Sequence, residues 1–392
     1  MKPPRVLVVA SHPIQYQAPW FRALASASAI DVSVLFVQLP GPQEQGVGFG
    51  VAFEWDVPLL EGYRWQRVPD VRGPGGLRGF FAARIAHPLK LLRELDPDVL
   101  VLTGWHVWPL VQMLLAAWWA GIPVIMRGES NSLRVRPRLT QIVHKALLKR
   151  CAAFLPIGRA SRDFYAQYGI ADRKLFDTLY FVDNARFAQS AAQALPRREQ
   201  LRARWAIPPG VVCFLFAGKL EPKKRIADLL EALRIGASRS AQLHLLVVGS
   251  GELMPQARHA VATHHLPVTF AGFLNQSEIA DAYIAADCLV LPSDYGETWG
   301  LVVNEAMACG RPAIVSDRVG CAADLITPGV TGDIFPFGDT AALAKTLLDL
   351  AADPQRLIEM GQLARSRVTQ HYGVQQSVDG TLAAVRYVLG TA

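Results

Sequence analysis

Short apolar runs alternate with amphipathic segments along most of the chain, and this alternation predicts the fold class. Between the apolar runs, leucines recur at helical spacing, as in Leu89, Leu92 and Leu95. Runs this short and this rich in Val, Ile and Leu are typical of parallel strands buried on both faces. In the first half of the chain such strands are predicted at residues 6–10, 32–37, 99–103, 123–127 and 153–157. Residues 39–79 are rich in Gly and Pro and predict loops with an irregular strand.

The alternation breaks at residues 184–210, where Ala, Gln and Arg dominate, and then restarts. Strands are predicted at residues 211–217, 243–248, 268–271, 289–291 and 313–315, with helices at 226–233, 253–263 and 277–286. From residue 339 the pattern is helical to the end, and Pro354 suits the first turn of a helix. We therefore predict an α/β protein of two doubly wound domains that face each other across a cleft. The first is residues 1–188, completed by a C-terminal helix at 375–392, and the second is residues 189–374.

Length and composition agree with two globular domains. A chain of 392 residues exceeds one ordinary core, and 51% apolar with 19% charged residues excludes a disordered protein. The net charge of +7 favours anionic partners, whether nucleotide, phospholipid or nucleic acid. The five cysteines form no CxxC pair, which indicates reduced core residues in a cytosolic protein.

Neither a signal peptide nor a membrane span is predicted. The chain runs from Met1 almost directly into its first strand, without a long apolar leader. The most apolar stretch, residues 107–126, is interrupted by Pro109, Gly121 and Pro123, which suits a buried helix and strand better than a bilayer crossing. We therefore expect a cytoplasmic protein.

Polar side chains follow three predicted strands of the first domain. His12 and Gln15 follow the first, His106 the third, and Arg127 and Glu129 the fourth. Ligands of α/β sheets bind at the carboxyl ends of the strands, so these residues are candidates for an acceptor or cleft site. The alternative for His12 and Gln15 is simple loop capping. The alternative for His106 is a core histidine whose hydrogen bonds are satisfied within the fold. The first turn has no glycines, which argues against a nicotinamide dehydrogenase.

Two lysines follow the first strand of the second domain. Lys219 comes directly after Gly218 at the strand end, and Lys224 precedes a helical pattern. Lysines so placed could clamp a diphosphate, each as a mobile point charge. A solvated run of charges is the alternative for this stretch.

Residues 291–317 predict a strand, a polar loop and a short helix of small residues that stops at Gly310. The start of such a helix carries unpaired amides and partial positive charge, which suit phosphate. Two carboxylates, Glu297 in the loop and Glu305 in the helix, flank this start. Helical side chains lean toward the N-terminus, so Glu305 should reach back toward whatever binds there. Since phosphate repels a carboxylate, a diol such as ribose is its better partner.

These motifs resemble those of the family-four retaining glycosyltransferases of GT-B fold. The resemblance covers the second domain well and the first loosely. One likeness concerns the segment that joins the family's two domains, which resembles Tyr180-Phe181-Val182-Asp183-Asn184 with Phe187. The matching motifs are Gly218-Lys219-Leu220 with Lys224, Gly249-Ser250-Gly251-Glu252, and Glu297-Thr298-Trp299-Gly300-Leu301 through Glu305 to Gly310-Arg311-Pro312.

The resemblance implies roles for the candidate residues. Glu305 would hold the nucleotide ribose, Glu297 the donor sugar, and Lys219 and Lys224 the diphosphate leaving group. His106 resembles the family's cleft histidine near the donor sugar, and the predicted catalytic residues are His106, Glu297, Lys219 and Lys224. The chain departs from the family's pattern at two places. Lys219 stands where the family commonly has Arg, so the positive charge is kept but the bidentate hydrogen bonding of a guanidinium is lost. The first loop lacks the family's glycine pair. The remaining donor contacts would come from Gly218, Gly249, Gly251, Thr298, Trp299, Gly300 and Leu301.

The implied reaction moves a sugar, with retained configuration, from a nucleotide diphosphate sugar to a glycan, a lipid-linked or a small-molecule acceptor. UDP and GDP are the expected nucleotides. Lysines and helix amides can stabilise the leaving group without a metal, and no DxD cluster accompanies the cleft, so neither metal nor cofactor is expected. The alternatives are a catalytically idle scaffold that binds a nucleotide or a membrane, a sugar-nucleotide epimerase, and a phosphorylase with bound pyridoxal.

A basic, partly apolar helix is predicted near residues 134–150. It fits an amphipathic helix that touches anionic lipid, which would place the protein at the inner face of the membrane. A solvated face over a buried apolar stripe is the alternative. Nucleic acid is not an expected partner, because aromatic residues do not interleave on a flat basic sheet. The residues concerned are the basic Arg134, Arg136, Arg138, Lys145, Lys149 and Arg150 and the apolar Leu139, Ile142, Val143, Leu147 and Leu148.

Overall fold

The computed structural model describes residues 2–73, 79–240 and 242–391. Backbone contacts divide the chain into two compact units. The N-terminal unit comprises Met1–Gln45, Val57–Tyr180 and Val374–Ala392. The C-terminal unit comprises Gly46–Asp56 and Phe181–Gly373.

The N-terminal unit is built on a parallel sheet. Its strands are β1 (Arg5–Ala10), β2 (Asp31–Phe36), β3 (Trp65–Arg67), β4 (Val71–Arg72), β5 (Arg84–Ile85), β6 (Val99–Leu102), β7 (Val124–Met126) and β8 (Ala153–Phe154). Six of them form the sheet in the order β3-β2-β1-β6-β7-β8, while β4 and β5 form a separate antiparallel pair. Its helices are α1 (Ala18–Ser26), α2 (Pro42–Gln45), α3 (Pro88–Leu95), α4 (Trp108–Ala120), α5 (Arg138–Leu148) and α6 (Arg159–Gln167).

The C-terminal unit has a second parallel sheet, in the order β11-β10-β9-β12-β13-β14. Its strands are β9 (Val212–Ala217), β10 (Leu243–Val248), β11 (Val268–Gly272), β12 (Cys288–Leu291), β13 (Ala313–Ser316) and β14 (Gly332–Phe335). Its helices are α7 (Asn184–Ala194), α8 (Arg198–Arg204), α9 (Ile226–Ala237), α10 (Met254–His264), α11 (Ile279–Ala285), α12 (Leu301–Ala308), α13 (Ala322–Leu325), α14 (Thr340–Ala351) and α15 (Pro354–His371).

The last helix, α16 (Val374–Leu389), returns to the N-terminal unit. Trp20 on α1 donates its indole N–H to the Thr381 hydroxyl at 3.3 Å. A Cβ on Gly380 would lie 2.1 Å from the Asp177 carbonyl oxygen, so only glycine lets the backbones approach this closely.

The two sheets confirm the predicted α/β class with two doubly wound domains. Every residue of β9 and β10 is buried, as expected for central parallel strands. The edge strand β14 was not predicted, whereas β3 lies within residues 39–79, where an irregular strand was expected among loops. All three residues of β3 are exposed, and they form no apolar run. All five cysteines are buried and unpaired, in agreement with the expectation of reduced core residues.

Two stretches of the predicted first domain, residues 1–188, are grouped with the C-terminal unit instead. In the segment Gly46–Asp56, the Phe53 ring lies 4.3 Å from that of Phe273. The carbonyl of Glu54 accepts a hydrogen bond of 2.6 Å from Asn275. The second stretch begins at Phe181, beyond which the Asn184 amide donates to two carbonyls at the end of α15. Loop packing of this kind leaves no periodic signal in sequence.

The apolar stretch 107–126 forms α4 and β7, separated by Gly121 in a left-handed turn. Within the part of the chain that the structure describes, no helix combines the length and the apolar character that a bilayer crossing requires.

Candidate functional site

The loops that follow β9 and β10 pack backbone against backbone. A Cβ on Gly249 would lie 1.9 Å from the Gly218 carbonyl oxygen, and one on Gly251 would lie 2.6 Å from that of Leu220. Both glycines also have positive φ, at +119° and +155°. The Leu220 amide donates to the Ser250 carbonyl at 2.9 Å. Side chains are therefore excluded here, which leaves backbone groups at the carboxyl edge of the sheet.

Lys224 lies beside this glycine loop. It ends a single 3₁₀ turn, Pro222–Lys224, after which Arg225 in a left-handed conformation leads into α9. The lysine stem runs past Gly218, where a Cβ would lie 3.5 Å from the Lys224 Cε. Its ammonium forms an ion pair with the carboxylate of Glu297. The two side chains are only 11% and 14% exposed, so the pair is shielded from most solvent.

The loop that carries Glu297 is fixed on both sides. The Asp294 amide donates to the Lys223 carbonyl at 2.9 Å, which ties the loop to the turn before α9. The Glu297 carbonyl accepts from the Gly320 amide at 3.1 Å. A Cβ on Gly320 would lie 1.9 Å from the Thr298 carbonyl oxygen, so the approach requires glycine. The carboxylate of Glu297 is thus held by backbone contacts that its sequence neighbourhood does not reveal.

Helix α12 begins next to this loop. Gly300 precedes it with φ +101°, and no side chain caps the helix there. The first amides of any helix lack intrahelical partners and carry partial positive charge. Leu301 opens the helix, while Trp299 is buried and donates its indole N–H to the Asn304 side chain at 2.7 Å. Trp299 is therefore a structural anchor of the loop, whereas the helix start can receive an anion.

Glu305 lies inside α12 with 2% of its surface exposed. The hydroxyl of Tyr283 donates to one carboxylate oxygen at 2.6 Å, and the Gln276 amide donates to the other at 3.4 Å. Gln276 is itself held by Arg186, whose guanidinium donates to the side-chain oxygen at 2.6 Å and to the carbonyl at 2.9 Å. The carboxylate therefore has a fixed orientation.

These three supporting residues were missed by the sequence analysis. Tyr283 lies within the apolar helix α11, where it reads as core, and Gln276 lies in the turn before that helix. Arg186 is in α7, 90 residues before Gln276 along the chain. Only a three-dimensional arrangement brings them to Glu305.

Lys219 has different neighbours from Lys224. Its ammonium donates to the Val47 carbonyl at 2.9 Å and lies 4.9 Å from the centre of the Phe49 ring. Both partners belong to the segment Gly46–Asp56. The predicted clamp of two lysines thus has one member in an ion pair and the other in contact with this segment.

In the N-terminal unit, His12 and His106 line one cavity of about 100 Å³, together with Ser11 and Gln38. The neighbouring strands β1 and β6 position them. The Ser11 hydroxyl is hydrogen-bonded to His12 Nδ1 at 2.9 Å. Burial, together with nearby His106, lowers the pKa of His12 to about 4. Desolvation also lowers the pKa of His106, although the side chain is exposed by its accessible surface and nearby Glu129 opposes the shift.

Arg127 and Glu129 follow the adjacent strand β7. Arg127 is 1% exposed, and its guanidinium lies between the rings of Trp20 and Tyr180, 4.9 and 4.8 Å from their centres. Glu129 accepts a hydrogen bond from the Tyr180 hydroxyl. Gln15 is half-buried in the turn between β1 and α1. The predicted polar strand ends of this unit therefore do share one sheet edge.

The donor-side candidates of the predicted second domain lie in the C-terminal unit, while His106 and the acceptor or cleft candidates lie in the N-terminal unit. Across the described residues, no three His, Cys, Asp or Glu side chains are grouped so that they could hold a metal ion.

Comparisons with known proteins show what the chain is similar to. A family model described as "Glycosyl transferases group 1" matches residues 197–367. A D-inositol 3-phosphate glycosyltransferase of Streptomyces bingchenggensis is 35% identical over 175 residues, which is 42% of this chain and 38% of that protein. A GDP-mannose-dependent alpha-mannosyltransferase of Mycobacterium tuberculosis is 37% identical over 158 residues, 40% of this chain and 37% of that protein. The chain thus spans less than half the length of these curated relatives.

One relative aligns over more of the chain. It is a 2-deoxystreptamine glucosyltransferase of Streptomyces kanamyceticus, 26% identical over 328 residues, which is 80% of this chain and 83% of that protein.

Solved structures match along the whole chain at low identity. A glycosyltransferase from Rickettsia africae has a TM-score of 0.73 at 15% identity and full coverage of both chains. Anabaena Alr3699/HepE in complex with UDP and glucose has a TM-score of 0.72 at 16% identity, covering 99% of this chain and 100% of that one. At such identities the likeness concerns the fold. Residues 197–367 match the model of the glycosyl transferases group 1 family, and the chain has the GT-B fold of two doubly wound parallel sheets.

Proposed function

We propose that the protein is a retaining glycosyltransferase that uses a nucleotide diphosphate sugar as donor. The observation that carries the proposal is the arrangement at the start of α12. An uncapped helix start, the shielded pair Lys224–Glu297 and the fixed carboxylate of Glu305 lie on adjoining elements of one unit. The family match to residues 197–367 supports the same reading.

The ribose of the donor is assigned to Glu305. An ionised carboxylate only accepts hydrogen bonds, and the two neighbouring hydroxyls of a ribose supply two donors. Tyr283 and Gln276 hold the carboxylate in one orientation, so little side-chain entropy is lost when a ligand binds. The donor would need to approach a residue that is 2% exposed, which requires a close fit against α12.

The diphosphate is assigned to the helix start and to Lys224. The amides at residues 299–302 and the ammonium present positive charge, while the backbone of Gly218, Gly249 and Gly251 permits close approach. Glu297 fixes the direction of the Lys224 ammonium and is proposed to contact the donor sugar. Lys219 supplies a second positive charge.

The reaction breaks the bond between the anomeric carbon and the diphosphate oxygen and forms a bond from that carbon to an acceptor oxygen. Negative charge builds on the departing oxygen, where preorganised lysine and amide groups stabilise it. The departing phosphate takes the proton of the acceptor hydroxyl on the same face of the sugar, so the configuration is retained. The chain's own groups supply the charge, and we propose that no metal takes part.

The N-terminal unit is proposed to serve the acceptor. With lowered pKa values, His12 and His106 are neutral imidazoles at pH 7, and each then offers one N–H donor and one acceptor nitrogen. The acceptor class is a glycan, a lipid-linked or a small-molecule hydroxyl compound. UDP and GDP are the proposed nucleotides. One relative is named for GDP-mannose and one structural neighbour holds UDP.

The test is donor binding followed by donor cleavage. A thermal-shift screen of UDP, GDP and ADP sugars identifies the donor, because a ligand that binds only the folded state raises the unfolding temperature. With that donor, Glu305→Ala should raise the donor KM and Lys224→Ala should lower kcat, while EDTA should leave the rate unchanged. Lys345→Ala is the matched control, since Lys345 forms an exposed ion pair on α14. Unchanged activity in both site variants would refute the assignment.

A further inference from the structure

Helix α5 turns an apolar stripe outward. The exposed fractions of Leu139, Ile142 and Val143 are 73%, 65% and 50%, and Val135 before the helix is 93% exposed. These helical positions are three and four residues apart, so they share one face. The structure therefore contradicts the reading of a solvated face over a buried stripe.

The opposite side of α5 is the one that packs inward. Leu148 is buried, Leu147 packs against the core of the unit, and the His144 ring lies 5.5 Å from that of Trp105. The inner side of α5 thus packs against its own unit, while the outer apolar stripe stays exposed.

Two tryptophans extend this apolar surface. Trp118 and Trp119 at the end of α4 are 50% and 77% exposed. The guanidinium of Arg150, just after α5, lies 4.9 Å from the centre of the Trp118 ring and so connects the two helix ends. Exposed tryptophan is costly in water and is favoured where a bilayer meets water.

The charge around the stripe has one sign. Residues 130–150 contain Arg134, Arg136, Arg138, Lys145, Lys149 and Arg150 and no Asp or Glu. Four of these, Arg134, Arg136, Arg138 and Lys145, line a cavity of about 520 Å³ with Ile142, and no acidic side chain is among the described residues that line it. A surface that combines exposed apolar groups with uncompensated positive charge is complementary to anionic lipid.

We propose that α5, with Val135 and the Trp118–Trp119 pair, is a docking surface for a bilayer that contains anionic phospholipid. The stripe and the tryptophans enter the headgroup region, and the flanking basic residues pair with lipid phosphates. We name this surface the α5 face. The inference goes beyond the proposed transfer reaction, and its test reads binding without turnover.

The experiment is co-sedimentation of the full chain with vesicles. Phosphatidylcholine vesicles are compared with vesicles that also contain phosphatidylglycerol, at low and at high salt. The protein should pellet with the anionic vesicles at low salt, and high salt should release much of it, because salt screens the surface charge. Failure to pellet with anionic vesicles at low salt overturns the proposal.

Variants separate the apolar from the charged contribution. The double variant Leu139→Ser/Ile142→Ser should weaken the partition of the protein onto anionic vesicles by about tenfold or more. Serine has less apolar surface than leucine or isoleucine to bury in the bilayer. The double variant Arg138→Ala/Lys145→Ala should weaken the partition by about fivefold for each basic residue. The matched control is Ile358→Ser/Leu363→Ser on α15, where both side chains are 50% exposed.

The controls also decide between occupants of the α5 face. If the α15 control weakens binding as much as the α5 variants, the α5 face is not the docking surface. Analytical ultracentrifugation of the same proteins tests whether a second copy of the chain covers it. A dimer that Leu139→Ser/Ile142→Ser dissociates, without binding to anionic vesicles, would overturn the lipid assignment.

Discussion

Replacing Lys224 by methionine would keep most of the side-chain volume and remove the charge that faces Glu297. In the structure both side chains are more than four-fifths shielded, so the remaining carboxylate would lose its partner in a poorly solvated place. The companion change Glu297→Gln removes the other charge. Together with the double variant, these changes form a thermodynamic cycle on one contact.

The magnitude follows from the shielding of the pair. At a contact distance of about 3 Å and an effective dielectric constant of about 20, the attraction between the charges is about 5 kcal/mol. Desolvation of both ions opposes it, so the measured coupling should be smaller, about 1 to 3 kcal/mol. Each single variant leaves the remaining charge without its partner and should lower the free energy of unfolding. The double variant should lower it by less than the sum of the two single effects.

Urea denaturation of the four proteins measures this coupling. Donor cleavage by the same four proteins shows whether the contact also serves the reaction. We expect Lys224→Met to reduce kcat with either Glu or Gln at position 297, because the departing diphosphate is no longer stabilised by the positive charge of the lysine. A coupling energy near zero would show that the ion pair does not form in solution, and an unchanged kcat would refute the role of Lys224.

Two further predictions test the supports of the site and the state of the histidines. Tyr283→Phe removes the hydrogen bond to Glu305 at constant ring packing, so the donor KM should rise by about tenfold with little change in kcat, whereas an equal fall in kcat would contradict a ribose role. The folded-state pKa of His12, about 4, lies below the ordinary histidine value of 6.5, so the unfolded chain takes up its proton first as the pH falls. Stability should then decrease from pH 6.5 to pH 4, by about 3 kcal/mol for this group. His12→Gln should flatten that part of a urea-denaturation pH profile, and an unchanged slope would contradict the burial of a neutral His12.

The central strands could be predicted because burial on both faces imposes continuous runs of Val, Ile and Leu, as in β9 and β10. The position of the edge strand β3 within residues 39–79 could not, since a strand paired on one side and exposed to water needs no apolar run. Helix α5 illustrates a subtler limit. Its periodicity predicted an amphipathic helix, but which face turns outward depends on what the rest of the unit offers as a packing surface.

The candidate site shows the same division. The sequence supports a proposal for Glu297, Glu305 and Lys224, because each lies close along the chain to a glycine-bearing turn or a predicted helix start. Their partners could not be predicted, because the hydrogen bond of Tyr283 to Glu305 is a long-range contact from inside an apolar helix. The contact of Lys219 with the segment Gly46–Asp56 spans 172 residues and has no local signature.

The central claim is that the C-terminal unit binds a nucleoside diphosphate at the start of α12, and calorimetric titration tests it most directly. UDP and GDP are titrated into the wild-type protein, Glu305→Ala and Lys224→Met, with the corresponding monophosphates as controls. We expect one diphosphate to bind the wild type and each variant to weaken that binding by about tenfold or more, a loss of about 1.4 kcal/mol or more. We expect Lys224→Met to have little effect on binding of the monophosphate. If neither diphosphate binds the folded protein, or if both variants bind as tightly as the wild type, the site is not the one described.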